Sequence, residues 1–158
     1  MLCYIGCMLL DYQLVPQTIV KPRSFVGLMS LYESNYLRLL LLIPELERLD
    51  GCFHSRVAGD CDLYVEILER CRYTVTLSLT YQFDNGHGNV ANPDMVVRAY
   101  LDGELAESMS LGGRNRSAGL PRFNASRSRG LGARWKRNMI LNKWLEYLRD
   151  QGHLILER

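Results

Sequence analysis

A chain of 158 residues that is 47% apolar and 23% charged has the size and make-up of one globular domain with a real core. Its net charge of +2 hides an asymmetry: from Leu111 to Arg137 there are eight basic residues and no acidic one, and the remainder carries a net charge of −6. No apolar run approaches the ~20 residues of a membrane-spanning helix, and Met1–Leu10 lacks the basic start and small-residue cleavage pattern of a signal peptide, so the sequence reads as cytoplasmic, with no membrane partner.

Residues 1–20 are apolar without a period and are broken by Pro16. They read as an N-terminal arm, of the kind that a start codon set too far upstream would add. Residues 21–158 are expected to form a single α+β domain. Ser24 is the predicted N-cap of a first helix, in which Phe25, Leu28, Met29, Tyr32, Tyr36, Leu39, Leu40 and Ile43 follow a 3.6-residue repeat and Pro44 marks the end. Leu37, Leu41 and Leu42 lie off that stripe. A helix apolar on two sides is either buried twice or meets a second chain, so an unknown protein partner or a homodimer through this helix is expected. Glu33 and Asn35 flank the stripe by about 80°, at a boundary where a polar side chain fixes a neighbouring loop or reaches a ligand.

Five strands follow, at Phe53–Ala58, Asp62–Glu69, Tyr73–Phe83, Asp94–Leu101 and Glu104–Met109. The third alternates most strictly, with Val75, Leu77, Leu79 and Tyr81 on one side and Thr74, Thr76, Ser78 and Thr80 on the other, the pattern of a sheet with one buried and one wet face. Gly86, Gly88 and their polar neighbours read as a loop. Asp102-Gly103 predicts a type I′ hairpin turn, with Arg98 opposite Glu107 and Tyr100 opposite Leu105. A basic Gly/Ser/Arg loop is expected over 111–133. A closing helix should run from about Arg134 to Gln151, with Ile140, Leu141, Trp144, Tyr147 and Leu148 inward, Asn142, Lys143, Glu146, Arg149 and Asp150 outward, and Gly152 as its C′ residue. The order helix, five-strand meander, helix predicts an α+β fold with both helices on one face of an antiparallel sheet.

Four short motifs carry a resemblance. Tyr32-Glu33-Ser34-Asn35-Tyr36 with Leu39 and Pro44, Glu69 with Arg72-Tyr73-Thr74, Val97 to Asp102 with Ala106-Glu107, and Asn138 with Trp144-Leu145 and Gly152 occur in that order. Together they resemble the YqiB-like bacterial family, a domain of unknown function, over roughly Lys21 to His153. The resemblance implies a fold but no activity. The chain departs from the family at Leu101, where a His is usual, and in the basic interval, where Tyr-Pro-Asn and Asp-Glu-Lys stretches are usual. Fast drift or a compensated frame error would also produce such an interval.

Three functional readings fit the sequence. The leading one is a small binding or accessory module that works through surfaces without catalytic chemistry, with Glu33, Asn35, Tyr36, Tyr73, Arg98, Tyr100, Glu107 and Asn138 as candidate ligand or partner contacts. The second is RNA binding through Arg114, Arg116, Arg122, Arg127, Arg129, Arg134, Lys136 and Arg137, since arginine spaced through Gly and Ser can track a phosphate backbone. The third is an enzyme with a site near Glu33, Arg98, Glu107 and Asn138. No catalytic constellation is legible: His54, His87 and His153 stand apart in sequence. No cofactor is expected. The five cysteines lack metal-site spacing, so no metal is expected either, and the thiols read as free.

Overall fold

A computed structural model of the chain describes residues 22–84, 89–111 and 130–156. The N-terminal arm, the glycine loop at 85–88 and most of the basic segment, including Arg114 to Arg129, lie outside the described residues. The elements are α1 (Phe25–Leu42), β1 (Cys52–Ser55), β2 (Asp62–Arg70), β3 (Thr74–Asp84), β4 (Asn89–Tyr100), β5 (Leu105–Leu111) and α2 (Leu131–Gln151). The strands pair in sequence order, each antiparallel to the next, and both helices contact β5 and each other. This is the expected α+β meander.

Ser24 caps α1 as its sequence position suggests: its Oγ accepts from the Gly27 N–H at 3.0 Å. The buried face is rotated from the predicted stripe. It comprises Leu28, Leu31, Tyr32, Asn35, Tyr36, Leu39 and Leu42, while Phe25 is exposed. A stripe drawn through apolar residues alone misses this rotation, because the buried helix face includes a polar residue, Asn35. α2 starts three residues before the predicted Arg134, so Leu131 to Ala133 are helical and not part of a loop. Asn142, placed on the wet side by its chemistry, is buried.

Beneath the helices, Leu63 and Val65 of β2, Val75, Leu77, Leu79 and Tyr81 of β3 and Met95, Val97 and Ala99 of β4 form one cluster with Leu39, Leu42, Ile43, Leu141, Leu145 and Leu148. The strict alternation of β3 therefore specifies the inner face as predicted. β4 begins five residues earlier than expected and runs through Pro93. Thr80 pairs with Asp94 and Gln82 with Ala91, so Pro93 falls in a bulge, where a missing N–H breaks no rung of the ladder. The β4–β5 register is the predicted one, Arg98 opposite Glu107 and Tyr100 opposite Leu105. The turn is not type I′: Glu104 carries the positive φ of 52°, and neither Asp102 nor Gly103 does. A four-residue connection closes the same register that a two-residue one would.

The turn after α1 is fastened from β2. The Arg70 guanidinium donates to the backbone carbonyls of Leu46 (3.0 Å), Glu47 (2.7 Å) and Leu49.

Candidate functional site

Residues of three of the four sequence motifs, Ser34 and Asn35, Ala106, and Asn138, meet in a connected set of hydrogen bonds between α1, α2 and β5. Asn35 is fully buried. Its Nδ2 donates to Asn138 Oδ1 (3.1 Å) and to the Ala106 carbonyl (3.4 Å), and its Oδ1 accepts from Asn142 Nδ2 (3.0 Å). Asn142 also donates to Ser34 Oγ (2.9 Å). Asn138 Oδ1 takes the Ser108 N–H (2.8 Å), its Nδ2 donates to the Arg134 carbonyl (2.9 Å), and Arg137 Nε donates to the Ser108 carbonyl (3.3 Å). Three buried amides thus satisfy one another and the side of β5 away from β4, which is why they are tolerated in a helix interface.

Beside this network, Glu107 is held by two phenols: Tyr32 donates to Oε2 (2.9 Å) and Tyr100 to Oε1 (2.8 Å). Burial, and then the Glu107 carboxylate, pushes the Tyr32 hydroxyl far above its ordinary range, with Arg134 opposing. The same two causes raise Tyr100, opposed by Arg98. Arg98 extends across the outer face of the sheet, its Nε donating to Thr76 Oγ1 (3.0 Å) and its Nη2 3.3 Å from Glu69 Oε2. The predicted contacts therefore fall into two groups, Asn35 with Asn138 in the amide network and Tyr100 with Glu107 and Arg98 on the neighbouring strands. Tyr36 is buried in the core cluster, Glu33 is exposed, and Tyr73 is half exposed at the start of β3 with the Arg72 guanidinium 5.0 Å from its ring centre. Of the basic residues, Arg134 and Lys136 are exposed on the first turns of α2, whereas Arg137 works inside the fold on Ser108.

A second cluster joins residues that look unrelated in sequence. α2 ends in a Schellman turn: Gly152 takes a left-handed φ of 91°, its N–H reaches the Arg149 carbonyl, and the His153 N–H reaches the Leu148 carbonyl. The turn aims His153 into the protein. There Nδ1 lies 3.0 Å from Ser55 Oγ and Nε2 3.1 Å from Asp60 Oδ2. Asp60 also accepts from Tyr81 (2.8 Å) and Tyr147 (3.1 Å). Burial raises the Asp60 carboxyl, but donors from Tyr81, the Cys61 N–H, His153 and Tyr147 outweigh it and hold the group below its ordinary value. The composition is that of a serine-hydrolase triad, but the geometry is that of a fastener. The His153 and Asp60 side chains are 0% and 4% exposed, Ser55 is buried, and Ser55 Oγ accepts the Leu154 N–H at 3.4 Å. A nucleophile needs a substrate beside it, and this hydroxyl is spent on the C-terminal segment. Sequence reading missed the cluster because Ser55 and His153 are 98 residues apart.

Among the described residues, no three His, Cys, Asp or Glu side chains gather as a metal site, and no helix is long and apolar enough to cross a membrane.

The family model described as Protein of unknown function (DUF1249) matches residues 38–154. The chain belongs to this family. The matched span holds three of the four motifs whole, and the first, at Tyr32–Tyr36, lies just upstream of it. No curated protein matches the chain, and no solved structure does.

Proposed function

We propose that this member of the family is a binding module that contacts a protein through the solvent face of α1 and carries out no chemistry of its own. The observation that carries the reading is the exposure of apolar residues on that face: Val26 is 63%, Leu37 61% and Leu41 50% exposed. At 100° per residue these three fall within about 60° of one another, opposite the buried stripe, with Glu33 beside them. Scattered exposed leucines are ordinary, whereas apolar residues aligned on the outer side of an already amphipathic helix are a feature of contact surfaces. The acid–base groups fit the same reading. Ser55, His153 and Asp60 fasten the chain end, and Glu107 is committed to two tyrosines.

The test is the double change Leu37→Glu with Leu41→Glu. Both positions are exposed, so thermal stability should move by no more than about 0.5 kcal/mol. Sedimentation of the wild-type chain at tens of micromolar should show species heavier than the monomer, or a stoichiometric complex with a partner captured from lysate, and the double variant should lose it. A wild-type chain that is monomeric throughout and retains the same proteins as the variant sinks the proposal.

A further inference from the structure

The solvent face of α1 has a self-complementary pattern. Val26 and Ser30 in its first half are answered by Leu37 and Leu41 in its second, with Glu33 and Ser34 between them. At 100° per residue all six lie within an arc of about 100°. Val26, Leu37 and Leu41 are exposed, and the two serines are short. When a second α1 lies antiparallel on the first, with a two-fold axis between Glu33 and Ser34, Val26 meets Leu41 of the second copy and Leu37 fills the space above its Ser30. Each contact then occurs twice, as a closed two-fold interface requires.

The charges at the ends of α1 point to the same arrangement. A helix favours acidic groups at its start and basic ones at its end, and α1 has no acidic residue in its first turn and no basic one in its last. Instead Arg23 stands exposed before the helix, and Glu45, Glu47 and Asp50 follow it against Arg48. Arg70 is spent on the carbonyls of Leu46, Glu47 and Leu49. α2 does not offset the dipole, because it runs parallel to α1: Asn35 meets Asn138, Ser34 meets Asn142 and Arg38 meets Glu146, so the two helices ascend together. An antiparallel neighbour does offset it. In the register above, Arg23 of each copy stands about one residue off the level of Glu45 of the other.

We infer that the partner of this face is a second copy of the chain, docked antiparallel, α1 against α1. The inference rests on the reading of that face as a contact surface and names what covers it. The seam from Val26 to Leu41 is about 22 Å of helix. That is the small end of specific interfaces and fits a weak dimer, with Kd on the order of 0.1 mM. Glu33 lies next to the axis, so the two carboxylates of the pair face one another. A basic partner would hold Glu33, whereas a second copy is opposed by it.

The experiment combines sedimentation equilibrium of the full-length chain, from tens of micromolar to about 1 mM, with methyl NMR of the same samples. Within one chain Val26 and Leu41 are ~22 Å apart, so a nuclear Overhauser contact between their methyls comes only from a pair. The expected result is a monomer–dimer equilibrium with a Val26–Leu41 contact that grows with concentration. Glu33→Gln, a change at an exposed position, should tighten the dimer roughly threefold, the repulsion of two water-screened charges several ångströms apart. A chain still monomeric at about 1 mM, a dimer whose contact joins Val26 to Val26, or a Glu33→Gln chain that pairs more weakly would each overturn the inference. The contact-surface reading fails separately: a monomeric wild type that retains from lysate a protein lost by the Leu37→Glu, Leu41→Glu variant overturns the second copy alone.

Discussion

Asp60 concentrates more structural work than any other single side chain described here. One carboxylate gathers donors from β3, from α2, from the C-terminal segment and from its own turn. Because these donors hold its folded pKa below the unfolded value of about 3.9, its contribution to stability is fully present above that value and is lost as pH falls through the folded pKa. Asp60→Asn keeps the shape but removes the charge. The expected result is a loss on the order of 3 kcal/mol at pH 7, the cost of breaking a buried charged network. The thermal midpoint of the variant should also fall less steeply than that of the wild type between pH 5 and pH 2. Equal slopes in calorimetric scans would show that the acid limb of stability lies elsewhere. None of this was legible beforehand. Asp60 follows Gly59 in a stretch that reads as an ordinary turn, and His153 follows a helix-ending glycine, so each residue had a sufficient local explanation.

At the scale of elements, α1 and α2 are joined by amides, although the inward stripe expected on each helix is wholly apolar. The Asn35–Asn138–Asn142 chain explains both errors in the helical faces, since it draws one polar residue of α1 and two of α2 into the interior. Asn138→Ala removes the acceptor of the Ser108 N–H and of Asn35 Nδ2. It should cost about 2–3 kcal/mol, read as a lower urea midpoint at unchanged slope. Asn138→Asp, which keeps the accepting oxygen, should retain more of the stability than Asn138→Ala; a variant order that is reversed would mean that the amide acts by shape alone. The strands were more readable than the helices. Period-two alternation in β3 reports which side faces the helices, although the side expected to be wet is not, since Thr76, Ser78 and Thr80 are buried as well; hairpin register follows from the chain count between strands, even where the turn type is different. Helix faces depend on side chains that bury polar atoms against partners far along the chain, and a single sequence does not reveal those partners. The same limit applies to the candidate site: Arg98, Tyr100 and Glu107 were legible through register, whereas Tyr32 as a holder of Glu107 was not.

For the molecule as a whole, the residues after α2 act as the closing strap. The Ile155 N–H bonds the Leu42 carbonyl at the end of α1, the Ile155 side chain is buried in the core, and His153 pins the segment to Ser55 at the end of β1. The first helix, the first strand and the last helix are thus tied by five residues that carry no regular structure. Ending the chain at Gln151 should lower the thermal midpoint by about 10 °C or more, from loss of the buried isoleucine, the Schellman turn and the Asp60 contacts together. A shift under about 3 °C would mean that the segment rests on a fold already complete without it. The basic stretch on the way to α2, the strongest anomaly of the sequence, contributes to the described fold chiefly through Arg137.

The amide chain has a further consequence. An open antiparallel sheet leaves a row of unpaired backbone groups along each outermost strand, which invites strands of other chains to add on and propagate aggregates. On β5, Asn138 occupies the Ser108 N–H, Arg137 the Ser108 carbonyl and Asn35 the Ala106 carbonyl, so three side chains stand where the backbone of a sixth strand would lie. On the other flank, β1 is only four residues long and offers little to pair with. The buried asparagines therefore guard the β5 edge against strand addition as well as joining two helices.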